Sequence, residues 1–176
     1  MKKALLLTAA LCMLFACGAG RVLADDVEWT VTFTDLQPKV IEHPDQEPFK
    51  GSASVIVTND TNEYWTDFHF QIFSVNGSNI TQTIFVDGGA YNPISTQNGM
   101  TWTINNDPNG ATMNLYFASD PVAPGSTALF KVYTDNTAFK QRFGLSCYPT
   151  VPEPSSILAF ASGLIGLAGL ALRKRS

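Results

Sequence analysis

Trp65-Thr66-Asp67-Phe68-His69-Phe70-Gln71-Ile72-Phe73 alternates with a period of two: Phe68, Phe70 and Ile72 take one side, and Asp67, His69 and Gln71 the other. Side chains of an extended chain point alternately to opposite faces of a sheet, so this pattern predicts a strand buried on one face. The same alternation recurs in Glu28–Thr34, where Trp29, Val31 and Phe33 oppose threonines, and in Ser54–Thr58. Segments at Thr81–Val86, Met100–Ile104, Thr112–Ala118, Ala128–Thr134 and Ala138–Leu145 are rich in β-branched or aromatic residues, which favour strands. Turn formers separate them: Val75-Asn76-Gly77-Ser78, Asp87-Gly88-Gly89, Asn105 to Gly110, and Pro121-Val122-Ala123-Pro124-Gly125. Seven or eight short strands with no competing amphipathic helix predict an all-β, antiparallel β-sandwich, immunoglobulin- or fibronectin-III-like first and jelly roll second. The expected core holds Trp29, Phe33, Val55, Val57, Phe68, Phe70, Ile72, Leu115, Phe117, Leu129 and Val132.

The flanks of this domain read differently. Met1-Lys2-Lys3 and the apolar run Ala4–Ala16 have the layout of a secretory signal, and Val22-Leu23-Ala24 places cleavage after Ala24. A rival reading takes Leu14-Phe15-Ala16-Cys17 as a lipoprotein box with Cys17 lipidated, against which Phe15 is bulkier than that pattern favours. Residues 25–150 are then one exported domain, long enough for a single core.

Beyond it come Pro152-Glu153-Pro154, Ser155-Ser156, an uncharged run Ile157–Leu172 and the basic Arg173-Lys174-Arg175. As a helix the run would be about 24 Å long, slightly short of a bilayer core of about 30 Å. Its basic end would stay cytoplasmic, leaving everything upstream facing outward. The two prolines cannot continue a helix or join a central strand, so the motif should stay extended.

Together these three parts resemble the PEP-CTERM sorting signal. The resemblance implies that exosortase, an integral-membrane cysteine protease, recognises residues 151–176 and cleaves at or near Pro152-Glu153-Pro154. It implies a Gram-negative, exopolysaccharide-producing bacterium, while the leader calls for export through the inner membrane by the secretion machinery and signal peptidase. The anchor is then transient, and the product reaches the cell surface or the biofilm matrix. The resemblance is confined to the tail and assigns no function to residues 25–150.

Composition narrows what the exported domain does. It carries five basic and fourteen acidic side chains, a net charge of −9, with no basic stripe, which argues against nucleic-acid binding. Cys147 is its one cysteine, so an internal disulfide is impossible and stability must come from apolar burial. The two histidines, His69 in a polar strand register and His43 in an expected loop, form no ligand motif, and no metal or cofactor is expected. No Gly-x-Ser-x-Gly elbow is present. Paired acids such as Asp60/Glu63 or Asp25/Asp26 would serve a glycosidase only if held about 5–9 Å apart across a cleft. Oxygen-rich Asn59–Glu63 and Asn105–Gly110 suit calcium, but also tight turns, which are preferred.

Tyr64, Trp65, Tyr91 and Trp102, in or beside loops, are the candidate sugar-binding residues; the alternative is that they close the ends of the core. The expectation is therefore a non-enzymatic structural or adhesive protein of the surface or exopolysaccharide matrix. The alternatives are a carbohydrate-binding module and, behind it, a secreted hydrolase.

Overall fold

The computed structural model describes residues 26–43 and 46–151. The leader calls at Cys17 and Ala24, and those at Pro152, Glu153, Pro154, the apolar run, Arg173, Lys174 and Arg175, lie outside the described residues. Among the described residues no helix is long and apolar enough to cross a membrane.

Among the described residues ten strands follow one another: β1 (Val27–Phe33), β2 (Lys39–His43), β3 (Lys50–Asn59), β4 (Asp67–Phe73), β5 (Ile84–Val86), β6 (Ile94–Ser95), β7 (Thr101–Asn105), β8 (Thr112–Tyr116), β9 (Thr127–Asp135) and β10 (Phe143–Thr150). One sheet runs β1-β3-β9-β5, with β6 also on β9; the other runs β2-β10-β4-β8-β7. Their apolar faces meet in a single core, giving the all-β sandwich the alternation predicts.

One pairing departs from the antiparallel expectation. β1 lies parallel to β3, from Val27↔Ala53 to Phe33↔Asn59. The chain leaves β1, runs back as β2 in the other sheet and returns as β3, so β1 and β3 must point the same way.

Phe68 is the centre of the core. Its ring lies 4.6 Å from Phe130 in a stack, 5.7 Å from Phe33 and 5.3 Å from Phe70 edge-on, and 6.3 Å from Trp65. Offset-stacked and edge-to-face pairs suit the aromatic quadrupole, and here they join side chains from both sheets. Of the expected core, Phe33, Val55, Val57, Phe68, Phe70, Ile72, Leu115, Phe117 and Val132 are buried.

Two expected core residues are placed otherwise. Trp29 is half-buried, packing on the core from the edge strand β1. Leu129 points to the outer face of β9, where Ala128, Phe130 and Val132 point inward. Leu129 and Val132 are three apart, an odd offset, so one strand cannot bury both on the same side.

Strand limits also move. The expected Ala138–Leu145 strand is a turn followed by β10, because Asn136 organises the corner. Its carbonyl accepts from the amides of Phe139 (3.2 Å) and Lys140 (2.9 Å), and its buried side chain accepts from the Thr83 hydroxyl at 2.7 Å. β2 replaces the expected loop around His43. It is an edge strand with Lys39 and Glu42 among its five residues, a composition that guards an edge against foreign pairing while weakening the strand signal.

The turns fall where expected. Asn76 and Gly77 both have positive φ, and Ser78 N–H donates to Val75 O at 3.0 Å. Gly144 is required for a different reason: a Cβ there would stand 2.2 Å from Phe73 Cζ, so the Phe73 ring lies against bare backbone.

Phe68→Ala should cost about 3–5 kcal/mol of unfolding free energy, because a cavity would open between both sheets. Urea denaturation checks this; a loss below about 1 kcal/mol would contradict the central place given to Phe68.

Candidate functional site

The sorting tail leaves the sandwich from β10, which sits between β2 and β4 in the second sheet. β2 pairs with it from Phe143↔His43 to Cys147↔Lys39, and β4 from Gly144↔Phe73 to Thr150↔Asp67. Pro149 falls beyond the last β2 pair, where no partner on that flank waits for an amide hydrogen. Pro149 is buried, Thr150 is half-buried, and Val151 packs against the core. β10 thus runs to Thr150, and Val151 packs on the core directly after it.

The outer face of this sheet carries aligned polar rows. Tyr148, His69, Asn114 and Thr103 are cross-strand neighbours, and so are Thr150, Asp67, Tyr116 and Thr101. His69 ties the rows together: Nδ1 lies 2.7 Å from Asn114 Oδ1, and Nε2 lies 3.1 Å from Thr150 Oγ1. The Tyr148 ring stacks on the imidazole at 5.0 Å, and Asp67 Oδ2 is 3.6 Å from Nε2. Asn114 Nδ2 donates to Thr103 Oγ1 at 3.4 Å, continuing the chain of contacts to the edge strand β7. Tyr116 stands beside it, 39% exposed. Sequence reasoning placed His69 in the polar register but missed this array, whose signal was the matching alternation of Ser146, Tyr148 and Thr150 with Asp67, His69 and Gln71.

The four candidate sugar-binding residues are not gathered into one platform. Trp65 is 0% exposed, packed on Phe33 and Phe68, with its indole N–H donating to Thr61 Oγ1 at 3.2 Å; it cannot stack on a sugar, and that expectation is corrected. The alternative reading, an aromatic closing the end of the core with one polar group satisfied, describes it. Trp102 is half-buried on edge strand β7 and donates to Asp87 Oδ2 at 3.0 Å. Tyr91 lies beneath Lys50 Nζ, 4.5 Å from its ring centroid, and meets Tyr133 edge-on at 5.6 Å. Tyr64, 58% exposed, is the open one of the four. Trp65 follows the end of β3 and Tyr91 packs on Lys50 at its start, with a strand about 30 Å long between those ends.

The side chains best suited to chemistry are committed elsewhere. Cys147 is fully buried, and burial pushes its thiol up to about 12, so it stays protonated and unreactive. His43 is buried against Phe143 at 4.8 Å, not exposed in a loop as expected. In the Asn59–Glu63 loop, buried Asn59 accepts from Thr61 N–H (3.0 Å) and hydroxyl (2.6 Å) and donates to Glu63 O (2.8 Å) and Val122 O (3.0 Å). Asp107 Oδ1 accepts from Asn109 N–H and Nδ2 at 2.7 and 3.0 Å. Both loops spend these oxygens on turns, and among the described residues no three His, Cys, Asp or Glu converge to hold a metal.

Asp135 has a perturbed carboxylate. Burial alone would raise its pKa, but the Thr137 amide and hydroxyl and the Lys50 ammonium at 3.3 Å together hold it below the usual carboxylate range. This cluster braces the corner after β9. A shallow depression near it is lined, among the described residues, by Glu47, Pro48, Phe49, Thr137 and Lys140.

Residues 150–175 match the family model of the PEP-CTERM protein-sorting motif. No curated protein and no solved structure matches the chain. The matched segment begins at Thr150, the last residue of β10. A chain carrying this motif is an exported protein sorted at the membrane by an exosortase.

Proposed function

We propose that residues 25–150 are a non-enzymatic structural or adhesive module, freed from a transient membrane anchor by exosortase and kept at the cell surface or in an exopolysaccharide matrix. The observation that carries this reading is the junction itself: the sorting motif follows a largely buried strand, paired with β4 up to Thr150, with no linker domain between. The sandwich is the cargo, and the tail serves its delivery. A buried, protonated Cys147 and histidines held against Phe143 and Asn114 argue for a passive module rather than a catalyst.

Replacing Pro152, Glu153 and Pro154 with alanine should leave a full-length precursor in the membrane fraction. Immunoblotting of fractionated cells checks this; a product of normal size at its normal location would refute exosortase processing at this motif.

A second reading, carbohydrate binding, is favoured by the prearranged array on the second sheet. Its polar groups are already ordered, so a polyhydroxylated ligand would pay little to fix them, and Tyr116 offers an exposed ring alongside. On this reading the host's own polysaccharide binds in calorimetry, and the Asn114→Ala/Tyr116→Ala variant loses about tenfold or more in affinity. Equal binding by the variant, or none by the parent, would remove it.

A further inference from the structure

We propose that the outer face of the second sheet is selective for uncharged polysaccharide, held across β8 and β7, and that it turns away glycans bearing carboxylates. This rests on the carbohydrate reading above and adds the class of glycan and its place on the sheet.

Charge is the first ground. Residues 25–150 carry a net charge of −9, yet the outer face of this sheet is nearly free of ions. Beside the two rows already described, Ser146, Gln71, Thr112 and Asn105 form a third across the same four strands. In these three rows Asp67 is the single carboxylate, and no member is a lysine or an arginine. The lysines at 39, 50, 131 and 140 lie outside the rows, over the rings of Phe33, Tyr91, Tyr133 and Phe49. A polyuronate approaching the face would meet no cation, one carboxylate and a molecular field of its own sign. An uncharged glycan meets none of that repulsion.

Hydrogen-bonding capacity is the second. Hydroxyl and carboxamide groups both donate and accept, as the hydroxyls of a sugar do. Asn114 gives one amide hydrogen to Thr103 and its oxygen meets His69, which leaves a second hydrogen and a second lone pair for a ligand. Exposure then fixes the place. Ser146 is buried, and Tyr148 and Thr150 are half-buried, whereas Thr101, Thr103 and Asn105 on β7 are exposed. The contacts of His69 with Asn114, Thr150 and Tyr148 form the support, and the open groups lie on β8 and β7. Tyr116, paired across from Thr101, adds an apolar ring face against which the C–H side of a sugar can pack. Strands about 4.8 Å apart, with same-face residues about 7 Å apart along each, make this a flat strip suited to an internal stretch of polymer.

The test is native affinity electrophoresis of the exported protein as recovered from cells. The gels contain dextran, galactomannan or hydroxyethylcellulose as uncharged probes, and alginate as the polyuronate, each in low and in high salt. The expected result is retardation by at least one uncharged probe, unchanged by salt, and none by alginate. Tyr116→Ala and Asn114→Ala/Tyr116→Ala should weaken the retarding affinity about tenfold or more, while Tyr64→Ala, an exposed tyrosine outside these rows, stays within about twofold of the parent. Matching urea midpoints confirm that the variants are folded, and Tyr116→Ala alone carries the test if the double variant is not. Retardation by alginate equal to that by the uncharged probes overturns the selectivity; if Tyr116→Ala abolishes it, the carbohydrate reading survives without the proposal. Binding that Tyr116→Ala leaves intact overturns the assigned face. No retardation by any probe overturns the proposal, and calorimetry with the host's own polysaccharide then decides the carbohydrate reading separately.

Discussion

The second sheet depends on its last strand. β10 is placed between β2 and β4, and β2 has its sheet pairing with β10 alone among the described strands. Without residues 143–150, β2 would have no ladder and β4 would expose a long unpaired edge. The chain can therefore close its fold only when the segment adjoining the sorting motif has been delivered. This couples the mechanics of folding to the geometry of export: the final piece of the domain is also the piece nearest the sorting motif.

The rest of the architecture follows from apolar burial with no covalent help. Cys147 is the single cysteine among the described residues and lies inside the core. Cohesion between the sheets rests on aromatic contacts around Phe68, on Phe117 stacking against Phe130 at 5.3 Å, and on Phe33 meeting Trp65 edge-on at 5.6 Å. Buried polar side chains fix the corners rather than the core: Asn59 binds the loop after β3 to Val122, and Asn136 binds the turn before β10. Such fully engaged groups specify where the chain turns, since leaving any of them unpaired inside the protein would be costly.

Much of this was legible in the residues. The alternation in Trp65–Phe73 set Phe68, Phe70 and Ile72 inward as found, and the Asn/Gly and Pro/Gly clusters marked turns correctly. The failures have physical causes. Trp65 was read as exposed because it lies beside a polar loop, yet a bridge to Val122 carries it under the end of the sandwich. β2 was missed because its partner is a hundred residues away, and no local pattern in Lys39–His43 announces that pairing. The Ala138–Leu145 strand was misplaced because Asn136 draws the chain into a turn through a contact with Thr83, again distant in sequence. The sorting motif was readable outright, since its information is local: two prolines, an apolar run and a basic end in fixed order. The His69 array was half-visible, because period two shows which residues share a face but not which strands lie side by side.

The central claim is that β10 is an integral part of the closed domain and not a frayed lead-in to the tail. Hydrogen exchange of the Leu145, Ser146 and Cys147 amides on the mature protein tests it most directly. If β10 locks the second sheet, these amides exchange only through global unfolding, with the same free energy and denaturant dependence as those of β3 and β9. Rapid, denaturant-independent exchange in β10 while β3 and β9 remain protected would contradict it.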